Sequence, residues 1–180
     1  MLFNVSGLIQ EGIGATREYD LDGLLQVEGQ RPEPVNGQVE FLRTMAGILV
    51  YAHLEMVEPE TCSRCLQPLE EKLQVDFEEE FQATVDVHTG RPLLERPDAE
   101  AFLIDSNHML DLTEAVRQYR EASLAMKPLC RPDCKGLCPN CGHDLNAGDC
   151  GCAAGEFDER LAVLAKLLES AESGASTRKE

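Results

Sequence analysis

The amino-acid sequence predicts an α+β fold, in which an antiparallel β-rich domain with one long helix precedes a cysteine-rich segment and a C-terminal helix. Three observations support this prediction. The first half of the chain alternates apolar and polar residues, two later segments have helical spacing, and all eight cysteines fall into two clusters. We expect a β-rich domain over 1–128, the cysteine segment with its packed helix over 129–172, and a disordered tail over 173–180.

Strands account for most of the first half. They are predicted over 3–9 and 18–27, and the Pro/Gly-rich stretch 28–37 is predicted to be a break. Residues 38–56 are predicted to form two strands around a turn, and 71–85 a further strand. The apolar residues of the second strand in 38–56 share one face, because they recur at period two: Ile48, Val50, Ala52, Leu54 and Met56.

The strand over 71–85 has the same pattern, with Leu73, Val75 and Phe77 alternating with polar residues. Glu79 interrupts the apolar side, which predicts a strand end or a bulge there. This one-sided pattern is typical of an antiparallel sheet with one buried face.

Helical spacing appears after a loop over 88–101 and a short strand over 102–105. The predicted helix covers 112–129, with Asp111 or Thr113 as its cap and Pro128 at its end. The residues predicted to lie on its apolar face are Leu112, Ala115, Val116, Tyr119, Ala122, Leu124 and Met126. A second amphipathic helix is predicted over 157–172.

The composition is that of a soluble globular protein with a net charge of −17. Residues 55–121 hold 17 of the acidic residues and 6 of the basic ones, so the acid excess is concentrated there. Such a surface repels phosphate groups and suits a basic partner, although it also promotes solubility. No apolar run is long enough to span a bilayer and no secretory signal is recognisable, so we expect a cytoplasmic protein with reduced thiols and no membrane partner.

Cys62 and Cys65 form a C-x2-C pair between two predicted strands. A turn of this kind lets both sulfur atoms converge on one ion, as in a zinc knuckle on a hairpin. A redox pair is the competing interpretation, but a thioredoxin-like motif needs a βαβ unit, which the strand pattern around Cys65 does not provide. Metal binding is therefore favoured.

The downstream cysteines lie close together, at positions Cys130, Cys134, Cys138, Cys141, Cys150 and Cys152. The stretch CPNCG has the form of a zinc-ribbon knuckle, in which Gly142 supplies an open backbone after the second thiolate. This zinc-ribbon-like segment has few apolar residues, so a bound metal would supply the free energy that folds it.

Eight cysteines make two sets of four, which predicts two structural zinc ions in tetrahedral sites. Locality along the chain favours a set of Cys138, Cys141, Cys150 and Cys152 beside a set of Cys62, Cys65, Cys130 and Cys134. The rival division joins the first four downstream cysteines and leaves Cys62 and Cys65 with Cys150 and Cys152. The spacing is also compatible with an iron–sulfur cluster, with a single occupied site and spare thiols, and with ligation by His143.

Nothing else in the sequence assembles into a catalytic site. There is no P-loop, no G-x-G-x-x-G and no G-x-S-x-G motif, and His53, His88 and His108 are scattered. The acidic run at 76–81 fits a strand with solvent-facing residues better than a catalytic carboxylate pair. A site of four thiolates leaves no open position for water. We therefore expect neither an enzyme nor a small-molecule substrate.

Four stretches together resemble the YceD family, which is named for large ribosomal RNA subunit accumulation: TCSRCLQPL, FEEEF, LCRPDCKGLCPNCGHDLNAGDCGC and DERLAVLAKL. The resemblance covers nearly the whole chain, and the cysteine segment with DERLAVL is its most specific part. It implies a bacterial or organellar cytoplasmic factor associated with the synthesis, processing or stability of 23S ribosomal RNA. It brings no catalytic residues to this sequence.

The resemblance and the cysteine pattern lead us to expect a non-enzymatic factor of ribosome biogenesis with structural zinc. Its expected partners are the large-subunit ribosomal RNA or a precursor particle, and a basic ribosomal protein. The acidic body would hold the basic protein, and Lys127, Arg131 and Lys135 would contact the RNA. The competing hypotheses are a zinc-ribbon adaptor of another machine, such as transcription, and an RNA-processing hydrolase.

Overall fold

The computed structural model describes residues 1–26, 32–93 and 101–152. These residues form two compact units. The first comprises Met1–Cys62 and Gln67–Cys130, and the second comprises Ser63–Leu66 and the described residues from Arg131 onward. The helix predicted over 157–172 and the tail predicted over 173–180 lie outside the described residues.

The first unit is built on a seven-stranded sheet with few helices. Its elements in chain order are β1 (Leu2–Asn4), α1 (Ser6–Gln10), β2 (Thr16–Leu25), β3 (Glu33–Arg43), β4 (Gly47–Thr61), β5 (Pro68–Ala83), β6 (Phe102–Ile104), β7 (Met109–Asp111) and α2 (Thr113–Ser123). The strand order is β1-β7-β6-β5-β4-β3-β2, and all neighbours are antiparallel except β5 and β6. The predominantly antiparallel sheet therefore matches the sequence prediction.

The hairpin of β4 and β5 is paired from Gly47 opposite Gln82 to Thr61 opposite Pro68. All five residues predicted to share a face of β4 are buried, and so are the three predicted on β5. The helices add Leu8 of α1 and Val116 of α2 to the same core cluster. The alternation of residue types thus places the core on one face of the sheet.

The N-terminal segment corrects the prediction of one strand over 3–9. β1 ends at Asn4, whose Oδ1 accepts hydrogen bonds from the backbone N–H of Ser6 at 3.1 Å and from its hydroxyl at 2.6 Å. The chain then forms α1. The three buried residues here, Val5, Leu8 and Ile9, have the spacing of a helix face, which the short alternating pattern concealed.

A second correction concerns the predicted break over 28–37, because β3 already begins at Glu33. Pro34 is paired with Leu24 of β2 and lies just before the first β3–β4 pair, Val35 opposite Met56. A Cβ atom at Gly37 would lie 2.1 Å from the carbonyl oxygen of His53. Glycine is therefore needed for the close approach of β4 and does not end the strand.

Helix α2 is shorter than the predicted span of 112–129. It ends at Ser123, Leu124 has an extended backbone, and Met126 is 98% exposed, so Met126 does not join the buried face. Proline disfavours helical backbone only at the residue before it, so Pro128 does not account for a helix end at Ser123. At the other end, the N-cap residue is Leu112 and there is no side-chain cap hydrogen bond, so neither Asp111 nor Thr113 is the cap as predicted. Asp111 Oδ1 accepts the N–H of Thr113 at 2.9 Å. No helix in the described residues is long and apolar enough to cross a membrane.

Glu79 neither ends β5 nor leaves its polar group without a partner. Its Oε1 accepts a hydrogen bond of 2.5 Å from the hydroxyl of Tyr119 on α2. The Tyr119 ring stacks on Phe77 with ring centroids 4.8 Å apart. The interruption of the apolar pattern therefore marks a helix–sheet contact.

Among the described residues of the first unit, three charged side chains are buried: Glu33, Glu58 and Arg120. Arg120 Nε donates to Glu58 Oε2 at 2.8 Å, and its Nη2 also donates to Glu58 Oε1. Glu33 Oε2 lies 3.6 Å from Arg120 Nη2 and has no hydrogen-bond partner among the described residues. Burial, followed by the neighbouring Glu58 carboxylate, raises the pKa of Glu33.

Candidate metal centres

The first cysteine pair lies in the turn of the β4–β5 hairpin. The backbone N–H of Cys62 donates to the carbonyl oxygen of Gln67 at 2.9 Å, which closes the turn. Cys62 and Cys65 are both buried, and Leu66 after the second thiol has a φ of 59°. The strand context that favoured a metal knuckle over a redox pair is therefore present.

The sulfur atoms of one cysteine tetrad lie within 4.8 Å of one another, from Cys62, Cys65, Cys130 and Cys134. We call this group tetrad A. In tetrahedral zinc sites with Zn–S bonds of about 2.3 Å, neighbouring sulfur atoms are about 3.8 Å apart. Three of the four cysteines are buried, so tetrad A offers a compact and largely desolvated set of soft donors.

The second knuckle forms around Cys138 and Cys141. The N–H of Cys138 donates to the carbonyl oxygen of His143 at 2.8 Å, and the N–H of Gly142 donates to that of Cys138 at 2.9 Å. Gly142 has a φ of 74°, which matches the left-handed backbone of Leu66 in the first knuckle. Both C-x2-C turns therefore have a positive φ at the residue immediately after the second thiol.

A second tetrad, tetrad B, contains Cys138, Cys141, Cys150 and Cys152, whose sulfur atoms also lie within 4.8 Å of one another. Backbone N–H groups of Cys141 and Asn140 hold the pKa of the Cys138 thiol at about 6. Hydrogen bonds with Cys141 and Cys150 raise the pKa of the Cys152 thiol to about 12. Four thiols this close cannot all ionise without a cation, and a divalent metal would displace the remaining protons.

The eight cysteines are divided between tetrads A and B as locality along the chain predicted. The rival division, which would group the first four downstream cysteines, is not observed. None of the eight cysteines forms a disulfide bond in this structure. His143 belongs to neither group, since its contribution is the backbone carbonyl that accepts the N–H of Cys138. The described residues contain these two groups able to hold a metal ion and no others.

Asn146 is a residue of the site that its sequence position did not reveal. Its side-chain Nδ2 donates to Cys134 Sγ of tetrad A at 3.4 Å, and its Oδ1 accepts the N–H of Lys135 at 2.9 Å. Asp144 Oδ1 accepts from both the backbone N–H and the Nδ2 of Asn146, at 2.9 and 2.7 Å. The D-x-N-x-G stretch signals a turn, but contact with a distant thiol leaves no local pattern.

Arg64 has a similar supporting position. Its Nη1 donates to the carbonyl oxygen of Cys134 at 2.8 Å, and its own carbonyl oxygen accepts the N–H of Leu137 at 3.1 Å. Such outer contacts orient metal ligands and tune their affinity. Both Arg64 and Asn146 therefore fix the backbone or the sulfur of one predicted ligand.

The donor chemistry of both tetrads fits a metal ion. Four thiolates are the donor set of structural zinc sites and of iron–sulfur clusters, and the hydrogen bonds to sulfur are common to both. Cysteine clusters compatible with metal binding are therefore present, and a complete tetrahedral set leaves no open coordination position.

Comparison with protein families gives a match over residues 50–168 to the family described as large ribosomal RNA subunit accumulation protein YceD. This range contains all eight cysteines. No solved structure matches the chain.

Similar curated proteins come from mycobacteria. The chain is 32% identical over 130 residues to uncharacterized proteins of Mycobacterium tuberculosis and Mycobacterium bovis, which covers 68% of this chain and 56% of each relative. An uncharacterized protein of Mycobacterium leprae is 25% identical over 112 residues, which covers 62% of this chain and 49% of the relative. The chain thus spans about half the length of the curated relatives it matches.

Proposed function

Because this chain belongs to the YceD family of large ribosomal RNA subunit accumulation proteins, we propose that it is a non-enzymatic factor that supports the accumulation of 23S ribosomal RNA. The observation that carries this proposal is the family match over residues 50–168, which spans both cysteine tetrads. Ribosome biogenesis is the process in which such a factor would act.

We further propose that each tetrad holds one structural zinc ion. Zinc bound to four thiolates would contribute folding free energy to the described part of the cysteine segment, residues 129–152, in which few apolar side chains are buried. Tetrad A would be held by Cys62, Cys65, Cys130 and Cys134, and tetrad B by the other four cysteines.

The proposed absence of enzymatic activity rests on the donor sets. A zinc ion with four thiolate ligands has no position at which to activate water, so the tetrads support a structural role. The factor would then act by binding its partners and not by catalysing a reaction.

Charged residues of both signs suit the proposed partners. Lys127, Arg131 and Lys135 are exposed and able to contact ribosomal RNA or a precursor particle through phosphate groups. The concentration of acidic residues between 55 and 121 instead suits a basic ribosomal protein.

Depletion of the protein in its host tests this proposal. We expect the ratio of mature 23S to 16S ribosomal RNA to fall, and expression of the wild-type chain to restore it. The Cys134→Ser variant is expected to restore it poorly, whereas Asn36→Ala, which changes an exposed polar side chain on the sheet, serves as the control. An unchanged ratio after depletion would contradict the proposal.

Two different results would favour the competing functions. Recovery of RNA polymerase without pre-ribosomal particles would favour an adaptor in transcription. Cleavage of precursor ribosomal RNA by the purified protein, abolished by one substitution, would favour a hydrolase.

A further inference from the structure

The outer face of strands β2 to β5 is strongly acidic. On these strands the residues that alternate with the core are exposed or partly exposed. They include nine carboxylates, at Glu18, Asp20, Asp22, Glu40, Glu55, Glu70, Asp76, Glu78 and Glu80. Lys72 is the single lysine or arginine among the described residues of this face. We call this surface the acidic face.

The strand register places like charges next to each other on the acidic face. Glu18 lies directly opposite Glu40, and Tyr51 lies between Glu40 and Glu78 in the same row. Directly opposed like charges destabilise a sheet. No lysine or arginine of the described residues forms an ion pair with any of these three glutamates. The fold therefore maintains an arrangement that costs stability when the face is bare.

Tyr51 adds an aromatic group at the centre of this row. Its side chain is 39% exposed, and it borders an open depression of about 840 Å³ over the middle of the acidic face. An accessible aromatic ring attracts arginine and lysine through its π face, and carboxylates bind guanidinium groups in bidentate fashion. Both features recognise the same chemical group.

The spacing along β5 points to an extended ligand. Asp76, Glu78 and Glu80 are successive outward-facing residues of one strand, so they follow at about 7 Å intervals. An extended peptide with a basic side chain at every second residue has the same interval. Nucleic acid is disfavoured on this face because phosphate groups would meet the carboxylates.

We propose that the acidic face docks an extended arginine- and lysine-rich segment of a partner protein, with one guanidinium group held by Tyr51, Glu40 and Glu78. The inference rests on the proposed function and deepens it by locating where the basic protein partner would bind. Binding of a cationic segment would also relieve the repulsion between Glu18 and Glu40.

Fluorescence anisotropy with a short labelled peptide in which arginine alternates with glycine tests the docking site. We expect the E40Q/E78Q double variant to bind about tenfold more weakly than wild type, since two charge-assisted contacts are lost. The matched control E11Q/E121Q removes the same charge away from the acidic face and is expected to weaken binding less than about twofold. Tyr51→Leu is expected to weaken binding while leaving every charge in place.

Equal affinities for E40Q/E78Q and E11Q/E121Q would overturn the inference, because the attraction would then come from net charge alone. Tighter binding of a single-stranded RNA of similar length at this face, lost in E40Q/E78Q, would overturn it in favour of a nucleic acid. Circular dichroism of each variant checks that the fold is intact. The binding assay uses only purified protein and peptide, so its result is independent of the depletion experiment. Failure of the peptide to bind would contradict the docking site, whereas an unchanged 23S RNA level after depletion would contradict the proposed function.

Discussion

The side-chain amide of Asn146 lies 3.4 Å from the sulfur atom of Cys134 and donates a hydrogen bond to it. Asn146 stands in the chain between Cys141 and Cys150, two members of tetrad B, whereas Cys134 belongs to tetrad A. The loop that carries ligands of one tetrad thus supports a ligand of the other. Hydrogen bonds to a thiolate favour its ionised form and orient it toward the metal.

Asn146→Asp is therefore expected to weaken metal binding at tetrad A by about 10- to 100-fold. Aspartate has the same shape and keeps an oxygen for the N–H of Lys135, but it loses the donor to sulfur and adds a negative charge beside it. Competition with a chromophoric chelator, using cobalt as a spectroscopic probe of thiolate ligation, measures the change. Asn36→Ala is the control, and equal metal affinity of Asn146→Asp and wild type would contradict the role of this amide.

The two tetrads predict how zinc content responds to pairs of cysteine substitutions. The purified chain is expected to contain about two zinc ions. The Cys62→Ser/Cys134→Ser variant changes only tetrad A and should lose one ion, whereas Cys134→Ser/Cys138→Ser changes both tetrads and should lose both. Elemental analysis distinguishes these outcomes. The rival division of ligands predicts the reverse, since it would place Cys134 and Cys138 in one site.

The left-handed backbone after each C-x2-C pair predicts a specific cost at Gly142. An added Cβ there would meet nothing within 4 Å, so the cost of Gly142→Ala is conformational, at about 1 kcal/mol. Urea unfolding of the metal-loaded chain measures it. Gly12→Ala is the matched control, because Gly12 also has open space but does not have a positive φ. Equal losses of unfolding free energy for Gly142→Ala and Gly12→Ala would show that the knuckle does not require glycine at position 142.

The buried carboxylates predict a pH-dependent effect of Glu33→Gln. Burial raises the pKa of Glu33 above its ordinary value of 4.5, so the folded chain retains this proton to higher pH than the unfolded chain. The stability that Glu33 contributes is full below pH 4.5 and is lost as the pH rises through the raised pKa. Glutamine cannot ionise, so Glu33→Gln should stabilise the fold near neutral pH, and this advantage should vanish at acidic pH. Unfolding free energies of Glu33→Gln and wild type, measured at several pH values, test both the sign of the stability difference and the pH range over which it appears.

Glu58→Gln provides the contrast for that experiment. Glu58 accepts two hydrogen bonds from the buried Arg120 guanidinium, so its neutralisation breaks a buried ion pair and is expected to cost about 3–5 kcal/mol. Similar effects of Glu33→Gln and Glu58→Gln on stability would mean that the two carboxylates share the arginine equally.

Local patterns in the sequence were sufficient to predict the long strands, because the alternation of apolar and polar residues is repeated many times in them. The alternation in β4 and β5 correctly identified the buried face, because successive side chains of a strand point to opposite sides. In short elements the apolar pattern has too few residues to distinguish a helix from a strand. Val5, Leu8 and Ile9 fit a helix as well as part of a strand, and Gly37 marks a close strand contact although its residue type also suggests a break.

The cysteine spacing by itself determined the candidate ligands, because a C-x2-C turn brings two sulfur atoms together wherever it occurs. The path of the chain decided how these pairs combine, since two divisions into sets of four were consistent with the spacing. It also decided the contact of Asn146 with Cys134, the buried cluster around Arg120 and the rows of carboxylates on the acidic face. Each of these depends on residues distant in sequence, and their proximity is fixed by strand register and packing.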